Sequence, residues 1–168
     1  MVKPQLILLR HAKSDWYSGA LSDHDRPLNG RGMRDAPRVG RWIDASDYTP
    51  EVVLCSTALR TRQTLDGVAD GADWDLDDMD IRYLRELYHA GPREILQAAA
   101  EAFPDGNRVM VVGHNPGMED VLLELCDHAV SWHNGKLMTT ASLAVVEFSG
   151  ANFREPELLS FVRAKELN

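Results

Sequence analysis

The sequence predicts an α/β fold: a three-layer α/β/α sandwich with a mainly parallel central sheet. Three observations carry this expectation. Short apolar runs recur along the chain, and each stops at a polar cluster, as buried strands do. Stretches with helical spacing separate these runs, the alternation expected of βαβ units. Four of the runs also hand over to polar residues suited to chemistry. That is the pattern expected where ligands bind beyond the carboxyl ends of parallel strands.

The elements follow in order. Gln5–Leu9 reads as a buried strand, and residues 11–29, with Gly, Ser, Asp, Pro and Asn, as a long loop. Met33, Ala36, Val39, Trp42 and Ile43 give helical spacing over about 30–45, and Pro37 inside that stretch is expected to kink it. Val52–Cys55 is a second buried strand. Ser56 or Thr57 is expected to cap the next helix, which runs to about Asp70. Asp73–Asp80 reads as a solvated acidic turn before a short strand near Ile81–Leu84. Gly91-Pro92 opens a helix over 92–103, and Arg108–Val112 is the clearest strand of the chain. Gly113-His114-Asn115-Pro116-Gly117 leads into a helix over Glu119–Cys126, and the tail holds strand-like runs at Ser142–Phe148 and Leu158–Val162. There is no internal repeat and no low-complexity linker. The 168 residues suit one domain spanning 1–168.

Composition narrows the function classes. Hydrophobic residues make up 44% and charged residues 26%, ordinary for a globular chain. The formal net charge of -8 is a poor background for binding nucleic acid or anionic membranes. An anion site must therefore be built locally, by gathering Arg and His. Cys55 and Cys126 sit among apolar neighbours and read as buried free thiols, which fits a reducing compartment. The apolar run before Arg10 is too short for a secretory segment or a membrane span, so a cytoplasmic location is expected.

The chemistry-bearing residues fall at the strand ends. Arg10 and His11 follow the first strand, Arg60 follows the second on the first turn of a helix, and His114 follows the fourth. Arg offers a planar, permanently charged fork for phosphate oxygens, and a helix start adds free N–H groups. Two histidines and two arginines on one sheet edge suit phosphoryl transfer: one neutral imidazole attacks phosphorus while the other three groups hold its oxygens. An imidazole titrates near neutrality and needs no metal to activate it, so neither cofactor nor metal is expected. Glu86, after the third strand, is the candidate acid for a leaving alkoxide, with Asp15, Asp23 and Asp25 as alternatives. Arg62 lies about 200° round the helix from Arg60 and reads as a solvated charge. The acidic run at 73–80 lacks the Gly and terminal Glu of a calcium loop, and the six histidines show no zinc-like pairing.

At these residues the chain resembles the histidine phosphatase (phosphoglycerate-mutase-like) superfamily. Leu8-Leu9-Arg10-His11-Ala12 is similar to its Arg-His-Gly signature. Ser56-Thr57-Ala58-Leu59-Arg60-Thr61-Arg62-Gln63-Thr64 is similar to its second block, and Val112-Gly113-His114-Asn115-Pro116 to the block with the second His. The length, Arg26-Pro27-Leu28 with Gly32, and Thr139-Thr140-Ala141 resemble the short SixA-type branch, named for a phosphohistidine phosphatase. The resemblance implies a phosphoglycerate-mutase-like fold, a phosphorylated nucleophile at His11, and phosphoryl binding by Arg10, Arg60 and His114. Glu86 stands where mutase-type members place an acid, ahead of Tyr88-His89-Ala90-Gly91. Ser14 and Trp16 match a Ser-x-Trp-Asn stretch of mutases, which makes Ser14 a candidate substrate-binding residue, although Tyr17 stands where Asn would. Ala12 replaces the usual Gly, so the turn must tolerate ordinary φ.

The leading expectation is a metal-independent phosphatase of the SixA type, acting through a phosphohistidine on His11. Its implied partner is a phosphorylated protein, such as a His-phosphotransfer protein. The alternatives are a phosphomonoesterase for a small phosphate ester or nucleotide, and a phosphate-binding module without catalysis. The oligomeric state is open.

Overall fold

The computed structural model describes residues 2–168. Six strands form one sheet: β1 (Gln5–Arg10), β2 (Val52–Ser56), β3 (Asp80–Leu84), β4 (Arg108–Gly113), β5 (Ser142–Glu147) and β6 (Glu157–Arg163), in the order β3-β2-β4-β1-β5-β6. The β1/β4, β2/β4 and β2/β3 pairs are parallel, while β5 runs antiparallel to both β1 and β6. The sheet is thus mainly parallel, as the alternation of strands and helices predicts.

Period-two alternation sorts each parallel strand between two cores. Leu6 and Leu8 of β1, Val52 and Leu54 of β2, and Val109 and Val111 of β4 face α3 (Pro92–Ala102) and α4 (Gly117–Cys126), meeting Ile95, Ala99, Val121 and Leu122. Ile7, Leu9, Val53, Cys55, Met110 and Val112 face the other way. They meet Ala36, Val39 and Ile43 of α1 (Gly30–Ala45) and Leu65 and Val68 of α2 (Leu59–Ala72). These are the two outer layers of the sandwich. Parallel strands covered on both faces must be apolar throughout, which is why these runs lack polar alternation.

Two glycines set the α1–α2 spacing. A Cβ at Gly40 would lie 2.0 Å from the Val68 carbonyl oxygen, and one at Gly71 would lie 2.0 Å from that of Pro37. The helix expected over 30–45 runs unbroken through Pro37, and Asn29 caps it by accepting from the Gly32 N–H.

The start of α2 departs from expectation. Its N-cap is Ala58, with no side-chain cap bond. The Ser56 hydroxyl instead pairs with His114 and accepts a 3.3 Å bond from the Ala58 N–H, and the Thr57 hydroxyl pairs with His24. Both hydroxyls are committed to the strand-end cluster. Cys55 and Cys126 are buried and unpaired, as expected, and burial pushes their thiols up to about 12 and about 11. No helix among the described residues is long and apolar enough to cross a membrane.

Candidate active site

The carboxyl ends of the parallel strands open into a cleft of about 450 Å³. Arg10 at the end of β1, His11 just beyond it, Arg60 on the first turn of α2 and His114 just after β4 all line it. Four residues drawn from three well-separated blocks of sequence are therefore brought together. The His11 and His114 ring centroids lie 5.3 Å apart, tilted by 56°.

His11 Nδ1 lies 2.7 Å from the Ala12 carbonyl oxygen. A carbonyl can only accept, so Nδ1 carries the proton and Nε2 of the neutral ring keeps its lone pair. Ala12 is itself fixed, buried, with its N–H donating to the Thr64 hydroxyl at 2.9 Å. It is not among the residues with positive φ, so the methyl that replaces Gly costs nothing at this turn. Burial lowers the His11 pKa to about 3, and the neighbouring His114, Arg10 and Arg60 push the same way. His114 is lowered to about 3 by burial first and by Arg60 second. Its Nε2 shares a 2.8 Å hydrogen bond with the Ser56 hydroxyl. Both rings are thus neutral near pH 7.

The two arginines are anchored but incompletely used. Arg10 donates to the Met138 carbonyl oxygen at 2.7 Å, and Arg60 donates to the Asp23 carbonyl oxygen at 2.8 Å and to its carboxylate at 3.1 Å. Four buried side-chain polar atoms lack a hydrogen-bond partner among the described residues. Three of them, Arg10 Nε, Arg60 Nε and His114 Nδ1, belong to residues lining this one cleft. The two guanidinium Nε–H groups are donors whatever the tautomer of His114, and buried donors without partners are costly, which makes this cleft the candidate place for an anion.

Ser14 also lines the cleft, buried, and accepts a hydrogen bond from Arg26 Nη1. Glu86 does not line it. Glu86 is exposed on the single 3-10 turn Arg85–Leu87, because Leu87 takes the inward position there. The acid role expected for Glu86 is therefore withdrawn. The carboxyls that do line the cleft are Asp23 and Asp120. Asp23 accepts from the Tyr88 hydroxyl at 2.7 Å, and it also accepts from Arg26 and Arg60. The Tyr88 bond, followed by the two guanidiniums, holds its carboxyl well below the usual range. Arg62 is exposed, outside this cleft, and donates to the Thr57 carbonyl oxygen.

Sequence reasoning weighed Asp23 only as one of three loop acids and used Arg26 only as part of a motif. It gave Tyr88 no role. All three lie outside regular elements, so no periodicity pointed to them. The one available signal was Arg26 close to Asp23 and Asp25 in a loop rich in Asp. Trp16, with the Arg26 guanidinium 3.6 Å from its ring centroid, completes that wall.

The model of the histidine phosphatase superfamily (branch 1) matches residues 6–91. The chain belongs to this superfamily. It is 34% identical to an uncharacterized protein of Mycobacterium tuberculosis over 84% of this chain and 88% of the relative. It is 28% identical to the phosphohistidine phosphatase SixA of Escherichia coli, over 84% of each. A crystal structure from Agrobacterium tumefaciens, of a protein assigned as the phosphohistidine phosphatase SixA, superposes with a TM-score of 0.79 at 29% identity, covering 96% of this chain and 99% of that one. This member of the histidine phosphatase superfamily is a phosphatase with the phosphoglycerate-mutase-like fold.

Proposed function

We propose that the chain is a metal-independent phosphatase that works through a phosphohistidine on His11 and acts on phosphohistidine carried by a protein. The observation that carries the mechanism is an imidazole with a free Nε2 in the same cleft as two guanidiniums whose buried Nε–H groups lack partners. His11 Nε2 attacks phosphorus, and the bond to the leaving nitrogen breaks. The Arg10 and Arg60 guanidiniums and His114 hold the three equatorial oxygens as charge redistributes. Water then attacks the phosphohistidine, breaking the P–Nε2 bond, releasing phosphate and returning neutral His11. A neutral imidazole is a competent nucleophile without metal activation.

The acid inventory supports the choice of substrate. An alkoxide leaving group needs a proton from a positioned acid, and a carboxyl can serve only where its surroundings keep it neutral near pH 7. Asp23 is held ionised, and Asp120 is exposed on the first turn of α4. A phosphoramidate makes less demand, because its imidazole can take a proton from solvent and leave neutral. Buried unpaired Cys55 and Cys126 fit a reducing compartment.

One observation favours a phosphate ester instead: Asp120 lines the cleft and could serve a bound ester. Wild type assayed on a phosphohistidine peptide, a phosphoserine peptide and a nucleoside monophosphate separates the two. The proposal expects kcat/KM to be highest on phosphohistidine and unaffected there by Asp120→Asn. Preference for an ester, lost in Asp120→Asn, would establish the second reading.

A further inference from the structure

A second groove, of about 570 Å³, adjoins the phosphoryl cleft and shares Arg10, Lys13 and Asn115 with it. The chain has four lysines. Three of them, Lys13, Lys136 and Lys165, line this groove together with Arg10 and Arg31. They come from the loop after β1, the segment before β5 and the 3-10 turn after β6, so no local run of sequence accounts for the convergence. In a chain of net charge -8, five cations around one groove make a local reversal of field.

The charges there are largely uncommitted. Among the described residues Lys13, Lys136 and Lys165 have no carboxylate within 4.0 Å, whereas Arg31 pairs with Asp35 at 3.4 Å. Glu119 is the one lining carboxylate, and it is engaged in holding the wall. Its Oε2 accepts from Asn115 Nδ2 at 3.0 Å and from the Met138 N–H at 3.3 Å.

The walls are built rather than loose. Buried Arg163 donates to the carbonyl oxygens of Leu137 at 3.0 Å and Ser131 at 3.0 Å, tying down the segment that carries Lys136. Arg10 and Asn115 both donate to the Met138 carbonyl oxygen, which joins this wall to the phosphoryl cleft. Thr139 and Thr140 complete the lining.

We infer that the lysine-lined groove is a second anion subsite, which binds a phosphate or carboxylate of the same molecule whose phosphoryl group occupies the His11 cleft. The inference rests on the phosphoryl-site reading but not on which leaving group is used. The subsite makes the enzyme selective for multiply anionic substrates and supplies part of their affinity at a distance from the reacting phosphorus.

The test uses Lys136→Gln/Lys165→Gln, two exposed residues that line the groove and not the cleft. Binding of inorganic orthophosphate and inorganic tripolyphosphate to wild type and variant is measured by calorimetry at low and moderate salt. Wild type is expected to bind tripolyphosphate about tenfold or more tightly than orthophosphate, with the advantage shrinking as salt rises. The double variant is expected to lose most of that advantage and to keep its orthophosphate affinity. An unchanged advantage in the variant, or an equal loss for both anions, would overturn the inference. Failure of orthophosphate to bind wild type would instead remove the phosphoryl cleft itself, and this proposal with it. A lower KM for an acidic than for a neutral phosphohistidine peptide, erased in the variant, assigns the second anion to a carboxylate. No such difference between peptides, with a tripolyphosphate advantage that wild type shows and the double variant loses, assigns it to a phosphate.

Discussion

Arg60 and Arg82 are the same residue type in opposite circumstances. Arg82 lies on the edge strand β3, about one-third exposed, with its guanidinium 2.7 Å from both the Asp80 and the Asp105 carboxylates. Arg60 is buried at the start of α2 beside the cleft, with Nε unpartnered and its other nitrogens held by Asp23 alone. A satisfied surface pair is worth little, because water serves almost as well. A buried, under-satisfied guanidinium is costly to keep, and its retention makes sense where an anion is to be received. The strand-end cleft is therefore where the molecule gives up stability for chemistry, while the β3 edge is ordinary surface.

That contrast can be broken or sharpened by substitution. The largest effect belongs to His11→Ala, which should reduce turnover at least about 1000-fold, measured by phosphate release. Arg60→Ala should lower kcat/KM by about 100-fold or more if Arg60 holds the phosphoryl oxygens as proposed. If Arg60→Ala were no worse than Arg82→Ala, the distinction between the two arginines would collapse.

Titration gives a middle-sized effect. Both imidazoles are lowered to about 3 in the native protein, against about 6.5 when unfolded. Below about pH 6.5 the unfolded chain binds protons that the native chain refuses, so it gains ground as pH falls. The stability that accompanies the neutral rings is complete above about pH 6.5 and drains away toward pH 3. The Tm of wild type should fall across that window, and a His11→Ala/His114→Ala variant should fall less steeply. Equal slopes would show that the rings are not held neutral by burial. Nitrogen-15 NMR at pH 5 should also find His11 neutral with its proton on Nδ1.

The smallest effect is expected at the β3 edge. Arg82→Ala should change stability by no more than about 1 kcal/mol and leave kcat/KM unaltered. Packing sites away from the cleft behave differently again. Gly71→Ala should cost about 1–3 kcal/mol in denaturant unfolding, since its Cβ meets the Pro37 carbonyl.

The sandwich and the gathering of Arg10, His11, Arg60 and His114 at one strand edge were legible because both signals are local. The apolar runs of β1, β2 and β4 announce strands covered on two faces, and a polar block at each strand end announces the ligand edge. What escaped depends on tertiary placement. Ser56 and Thr57 look like helix caps, yet the fold brings His114 and His24 within reach of their hydroxyls, and those bonds win. Glu86 follows its strand as a site residue would, but one 3-10 turn spends the inward direction on Leu87 and turns Glu86 outward. Asp23 and Tyr88 are 65 residues apart and meet only in the folded cleft. The convergence of three lysines on one groove has the same origin, because their spacing along the chain carries no pattern.

The most direct test of the central claim is to trap the intermediate. Wild-type enzyme mixed with a radiolabelled phosphohistidine peptide and quenched in alkali should retain an alkali-stable, acid-labile phosphoryl group that peptide mapping places on His11, and His11→Ala should retain none. Label on His114, or full turnover by His11→Ala with no trapped phosphoenzyme, would contradict the assignment of His11 as the nucleophile.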